Sequence, residues 1–214
     1  MAREKMREQA YHSFTRHLLA SDVRPGQFVS QRELVQLTGM SLAAIRELVP
    51  RLEAEGLITT IPQRGMQIAP IDFNLVRDAY QFRLILEKEA VAHFTKSATD
   101  SEIQILCDQH EDILRQAEKG NVSKELEAHA QSVDWGFHDI LIDSLRNEII
   151  AKAYRVNSLK IRLIRQELTR IEGHVGPVMK EHLPIIRAIQ ARDAKAAVRK
   201  LVRHIETARQ RALG

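Results

Sequence analysis

Four residues from three stretches of the chain carry side chains that together suit a divalent transition metal. Asp134 and His138 stand at i and i+4, which on a helix puts a carboxylate and an imidazole on one face, about 5–6 Å apart. His182 opens a segment whose apolar residues Leu183, Ile186 and Ile189 recur at helical spacing, and His204 stands beside Leu201, Val202 and Ile205 further on. Both histidines are expected to face a helical interior. One carboxylate and three imidazoles suit zinc first, and nickel, manganese or iron as well, with positions left for water or a ligand. Cys107 is the one cysteine, so any metal in the chain must be held by His, Asp or Glu, and an internal disulfide is excluded. The same spacing equally fits histidines that are packed and hydrogen-bonded without metal, and the residues alone leave both possibilities open.

An enzyme alternative starts from His138-Asp139, the dipeptide of HD-type metal phosphohydrolases. That chemistry needs further ligands and a base beside an activated water, which His110 and His129 would supply only in a different bundle. No Gly-rich phosphate loop occurs, and no Ser/His/Asp or Cys/His arrangement has a supporting motif. Trp135 is expected in the core or an interface, and Cys107, near Ile103 and Leu106, as a small buried residue.

The elements that must position the four residues are helices. Residues 71–170 hold no proline and two glycines, Gly120 and Gly136, whereas four of the six prolines and four of the nine glycines fall in the first 70 residues. This shift predicts two domains, 1–70 and 71–214, with a boundary near Pro70. Leu75, Val76, Ala79, Phe82, Leu86, Ala90, Val91 and Phe94 recur at helical spacing, so the second domain reads as an all-helical bundle. A second helix is expected from Thr99 or Asp100 to about Lys119, stopped by Gly120-Asn121, and a third opens at Ser123. Further helices are expected from about Asn147 to Ile171, from Gly176 to Ala191, and from an Asp193 cap to the C-terminus, with Gly173, Gly176 and Pro177 marking the first gap.

The first domain has a different order. A helix to about Ala20 leads to the turn Arg24-Pro25-Gly26, and Gln31-Arg32-Glu33-Leu34 opens a short helix that stops at Gly39. Ser41 can cap the next helix, which is expected to turn Leu42, Ile45, Leu48 and Val49 inward and leave Ala43, Ala44, Arg46 and Glu47 more exposed. Pro50 within that helix removes a backbone hydrogen bond and predicts a kinked or shortened helix. Two strand-like runs, Leu57–Ile61 and Met66–Ile68, are joined by Pro62-Gln63-Arg64-Gly65, a β-hairpin wing. The fold expected is therefore mainly α, a winged helix-turn-helix followed by a helical bundle. A helix of this kind fits the major groove of double-stranded DNA, and a glycine-tipped wing bearing Arg64 can approach phosphates.

Composition agrees without deciding. With 44% hydrophobic and 28% charged residues the chain is neither disordered nor collagen-like. A net charge of +4 permits nucleic-acid binding but does not establish it. Residues 1–70 carry nine Lys/Arg against seven Asp/Glu, so the basic excess is not concentrated in the expected reading head. The basic stretch after Arg192 reads as a solvated helix face. No apolar run approaches the roughly 18 residues of a membrane span, and the opening MAREKMREQAYHSF lacks a signal peptide's apolar stretch, so the expected location is the cytoplasm.

Residues 8–70 resemble the DNA-binding domain of the GntR family of bacterial transcription regulators. The resemblance rests on Arg24-Pro25-Gly26, Glu33-Leu34, Thr38-Gly39-Met40-Ser41, Ile45-Arg46-Glu47, Leu52-Glu53-Ala54-Glu55-Gly56-Leu57 and Pro62-Gln63-Arg64-Gly65. It implies DNA contacts from Arg32, Ser41, Arg46 and Arg64, with Gly65 at the wing, whereas Leu42 stands where family members commonly have an arginine. Asp134-Trp135-Gly136-Phe137-His138, Asn147, Glu181-His182 and His204 resemble the FCD effector-binding domain of the FadR-type subfamily. That resemblance implies a metal held by Asp134, His138, His182 and His204, in six or seven helices around a cavity where small carboxylic acids bind. An arginine can grip such an acid bidentately. Arg83 matches an arginine of the family pattern and is the first candidate, although an i, i+4 salt bridge with Glu87 is nearly as good a use for it; Arg162 and Arg165 follow as cavity-wall candidates. The chain is thus expected to be a homodimer on a pseudo-palindromic operator, and on family grounds a repressor. The alternatives are a metal-dependent hydrolase with an incidental winged helix, and a sensor of the metal itself.

Overall fold

A computed structural model describes residues 2–120, 122–168 and 175–214. They form two compact units, Met1–Leu75 and Val76–Gly214. The division falls in the first turn of a helix, a little beyond the expected boundary near Pro70.

The first unit contains α1 (Ala2–Leu19), β1 (Phe28–Val29), α2 (Gln31–Thr38), α3 (Leu42–Ala54), β2 (Ile58–Ile61) and β3 (Gly65–Ile68). Helix α2 starts where the Ser30 hydroxyl accepts from Glu33 N and the Glu33 carboxylate accepts from Ser30 N, a reciprocal cap. It ends at Gly39, whose φ of +67° is left-handed. Only two residues later the Ser41 hydroxyl accepts from Ala44 N at 3.2 Å and begins α3. Helices α2 and α3 pack on each other and on α1, burying Phe14, Leu18, Leu34, Ile45, Leu48 and Leu52. Fully burying side chains of this size contributes about 1.5–3 kcal/mol each. Strands β2 and β3 pair antiparallel with Ile61 opposite Gly65, and β1 adds to the far side of β3, an order β1-β3-β2. The sequence reading missed β1, a two-residue strand too short to show periodicity.

Two expectations for α3 are corrected, and of the two forms expected at Pro50 the shortened one is not found. The helix is not shortened at Pro50 but runs through it from Leu42 to Ala54. Pro50 lies on the exposed face, where the Arg46 carbonyl that loses its partner can turn to water. Leu42 is 40% exposed while Ala44 is buried, because the face that meets α1 and α2 is set by Ala44, Ile45, Leu48 and Leu52 and leaves the first residue outside.

The second unit is all-helical among the described residues: α4 (Phe73–Ser97), whose first residues precede the division, α5 (Asp100–Glu118), α6 (Lys124–Ser144), α7 (Glu148–Leu168), α8 (Val175–Gln190) and α9 (Ala194–Leu213). Polar side chains cap their starts, Thr99 with Glu102 for α5, Ser123 for α6 and Asp193 for α9. Asn147 does the same for α7, its Oδ1 accepting from Ile149 N and Ile150 N. Helix α5 packs on α6 and α8, α8 on α6 and α9, and α7 on α6 and α9. Gly176 and Pro177 fall in the first turn of α8, where a missing N–H is tolerated. The expected stop at Asn121, helix end at Ile171 and break at Gly173 lie outside the described residues. None of the helices among the described residues is long and apolar enough to cross a membrane.

Candidate functional site

Helix α6 carries Asp134 and His138 one turn apart on its inner face, α8 brings His182 against them and α9 brings His204. All four are buried, and one donor atom from each lies within 4.8 Å of the others. His182 Nε2 is 3.3 Å from Asp134 Oδ1 and 3.3 Å from His204 Nε2, and His138 Nε2 is 3.9 Å from Asp134 Oδ1. Donors at about 2.0–2.1 Å around a tetrahedral zinc stand about 3.4 Å apart, so the cluster has a metal site's dimensions.

Each imidazole is held from behind. His138 Nδ1 donates to Glu87 Oε2 at 2.7 Å and His204 Nδ1 to Glu181 Oε2 at 2.9 Å. His182 Nδ1 lies 3.1 Å from His110 Nε2. The supports are themselves held: Glu87 Oε1 accepts from Arg83 Nε at 2.7 Å and from the Tyr154 hydroxyl at 2.5 Å, and Glu181 pairs with Arg211. Asp134 Oδ2 is taken by Arg165. Carboxylates only accept, so His138 and His204 carry their protons on Nδ1 and turn Nε2 lone pairs toward the centre. Asp134 Oδ1 and His138 Nε2 are buried with no hydrogen-bond partner. Such orphaned atoms cost about 1–3 kcal/mol each, and a cation placed between acceptors that face one another satisfies them together. The donor set therefore fits a divalent transition metal.

The protonation states fit as well. Burial, with Arg83 nearby, lowers the pKa of His138 to about 4 despite the pull of Glu87. Burial and the neighbouring imidazoles hold His182 well below its usual value, and burial lowers His110 too. Burial alone would raise the two carboxyls, but Arg165 and His138 keep Asp134 below the usual range, and Arg83 and His138 bring Glu87 down to about 2. Neutral imidazoles and ionised carboxylates are the forms that ligate metal without first losing protons.

Beside the cluster, Arg83, Arg162 and Arg165 line one cleft with Trp135, His138 and Tyr154. Its volume is about 10 Å³, room for a single water. The three arginines differ in what they already hold. Arg83 is buried in its pair with Glu87, and Arg165 is engaged by Asp134. Arg162 lies 4.3 Å above the Trp135 ring, donates to Asp139 at 3.3 Å, and keeps a buried Nε without a hydrogen-bond partner. Its side chain is 24% exposed, so it is the arginine of the cleft that solvent reaches most.

In the first unit, Arg32, Ser41, Arg46 and Arg64 are exposed and Gly65 is half-buried. Arg46 Nε lies 3.5 Å from Gln31 Oε1, and the Arg64 guanidinium is 5.2 Å from the Phe28 ring centroid. Gly65 has φ +93°, and a Cβ there would stand 3.1 Å from the Val29 carbonyl oxygen, so the wing requires glycine at this position. Sequence reasoning named Glu181 without giving it a role, missed Tyr154 and Arg211, and set His110 aside. Glu181 sits next to His182 and was legible as part of that pair, but nothing in the linear order of α7 marks Tyr154. His129 is exposed and stands outside the cluster.

Comparison with known proteins agrees with this architecture. Residues 6–68 match bacterial regulatory proteins of the gntR family, and residues 78–207 match the FCD domain. The chain belongs to the GntR family and carries an FCD domain. It is a transcriptional regulator rather than a hydrolase, in line with its relatives. The Nta operon transcriptional regulator of Aminobacter aminovorans is 33% identical over 142 residues, 66% of this chain and 65% of that protein. That match spans just under two thirds of the relative's length. The HTH-type transcriptional repressor RspR of Escherichia coli is 25% identical over 206 residues, covering 95% of this chain and 87% of that one. A GntR regulator structure from Rhodococcus sp. RHA1 shares the fold, with TM-score 0.77 and 20% identity over 99% of this chain and 98% of that one.

Proposed function

We propose that this GntR-family protein is a cytoplasmic homodimer that represses transcription from a pseudo-palindromic operator. Its FCD domain would hold a divalent transition metal, zinc first, on Asp134, His138, His182 and His204, and a small carboxylic acid beside it. The observation that carries this reading is the pair of buried, partnerless acceptors, Asp134 Oδ1 and His138 Nε2, at the centre of the four-residue cluster. A bound metal supplies a Lewis-acidic position where a carboxylate oxygen can replace water. The protein supplies the rest: Arg165 ties up Asp134 Oδ2 so that this carboxylate offers one oxygen, and Arg162 presents a guanidinium with an unmet donor. The pairing of Arg83 with Glu87 and the unmet donor of Arg162 support Arg162 in place of Arg83 as the arginine that would grip the acid. Arg32, Ser41, Arg46 and Arg64 would contact DNA, with Gly65 letting the wing approach it.

Selection of bound duplexes from random DNA, followed by affinity measurement with and without zinc and a panel of small di- and tricarboxylates, tests this. The expected result is a two-fold symmetric site, lost in Arg46→Ala, whose affinity shifts with an acid only when metal is present. Loss of that shift in Arg162→Ala with DNA affinity retained supports the assigned grip. No selected motif would overturn the DNA reading. A switch by zinc alone, with no acid effect, would make the metal the signal.

A further inference from the structure

His110 is fully buried on α5 and lies outside the four-residue cluster, yet it touches the cluster directly. Its Nδ1 is 2.7 Å from the Leu106 carbonyl oxygen, one helical turn earlier. A carbonyl only accepts, so His110 carries its proton on Nδ1 and, as a neutral ring, leaves Nε2 as an acceptor. The atom 3.1 Å from that Nε2 is His182 Nδ1. His182 must therefore donate from Nδ1, and its lone pair falls on Nε2, the nitrogen that faces Asp134 Oδ1 and His204 Nε2. The ring of His110 is also held edge-on against Phe137, at 5.6 Å and 77°. His138 and His204 are oriented by carboxylates, but among the described residues His182 has a neutral imidazole in that place.

We propose that His110 is a positioning residue that transmits the fixed polarity of the Leu106 carbonyl to His182 and so sets the tautomer in which His182 Nε2 is the metal donor. The inference deepens the metal reading above and rests on it. Outer partners of ligating histidines are commonly worth 10–100-fold in metal affinity. Here the effect runs through hydrogen-bond direction, not charge. His110→Phe keeps a flat apolar ring in the space and removes both the donor and the acceptor. His110→Gln restores an amide that can accept from His182 and donate to Leu106.

Two measurements on the full chain test it. Nitrogen-15 NMR of the metal-free protein reads the tautomer of His182, and cobalt(II) titration reads affinity through the d–d absorption of the bound ion. The wild type is expected to hold His182 protonated on Nδ1. His110→Phe should mix the tautomers and weaken cobalt(II) by about 10–100-fold, with His110→Gln recovering most of the loss and all three proteins giving the same circular dichroism. A wild-type His182 protonated on Nε2 overturns the inference. So does His110→Phe, or His110→Ala should the phenylalanine variant not fold, keeping both the wild-type tautomer and its affinity while having lost the imidazole. Wild-type protein that takes up no cobalt(II) overturns the metal reading instead, and the tautomer then decides the His110 assignment by itself.

Discussion

Glu87 shows how much a single buried side chain carries. Its carboxylate accepts from Arg83, Tyr154 and His138 at once, with no exposure to water. Replacing it by an amide leaves the Arg83 guanidinium buried without a countercharge, a defect that typically costs about 3–5 kcal/mol. Glu87→Gln is therefore expected to lower the urea unfolding free energy of the second unit by that amount and to weaken zinc binding about tenfold or more through His138. Wild-type stability would mean that Arg83 finds another partner. The helical repeat of Asp134 and His138 and the apolar neighbours of His182 and His204 left a metal site and a packed core equally open, and the resemblance to the FCD domain is what joined the four residues. Glu87, in contrast, read only as the i+4 partner of Arg83. Its contact with His138 joins residues 51 apart, and no periodicity within one helix reports which residues of another helix it will meet.

Helix α3 is the element whose local chemistry the sequence described least well. A proline inside a helix normally costs about 3 kcal/mol, yet α3 runs unbroken past Pro50, since the site is exposed and the loss is confined to one backbone hydrogen bond. Pro50→Ala should restore that bond and, after a small loss from a freer unfolded chain, stabilise the first unit by about 2 kcal/mol in thermal unfolding. An unchanged or lower melting temperature would show that Pro50 already fits its helix without penalty. At the wing, Gly65→Ala forces a Cβ onto a left-handed backbone and toward the Val29 carbonyl, with an expected loss of about 1–2 kcal/mol and weaker DNA binding, while metal content stays the same. The caps were readable because Ser41, Thr99, Ser123 and Asp193 act within three residues of themselves. Strand β1 was not, because Phe28 and Val29 become a strand only by pairing with Gln67 and Met66.

For the whole molecule the account is one of linkage. A ligand changes operator affinity only by as much as it prefers one state over another, and coupling of about 1–3 kcal/mol, or 5–150-fold, is the usual range. The same linkage ties metal to stability. At free zinc 100 times its dissociation constant the metalled form gains about 2.7 kcal/mol, so a chelator should lower the melting temperature of the second unit and leave the first unit unmoved. The measurement that bears most directly on the metal centre is elemental analysis of untagged protein, purified without added metal, beside an Asp134→Ala/His182→Ala variant. Near one transition metal per chain, absent from the variant, is the expected result. No metal in the wild type, even after incubation with zinc, nickel or manganese, would make the buried cluster a hydrogen-bonded core and contradict the proposed sensor.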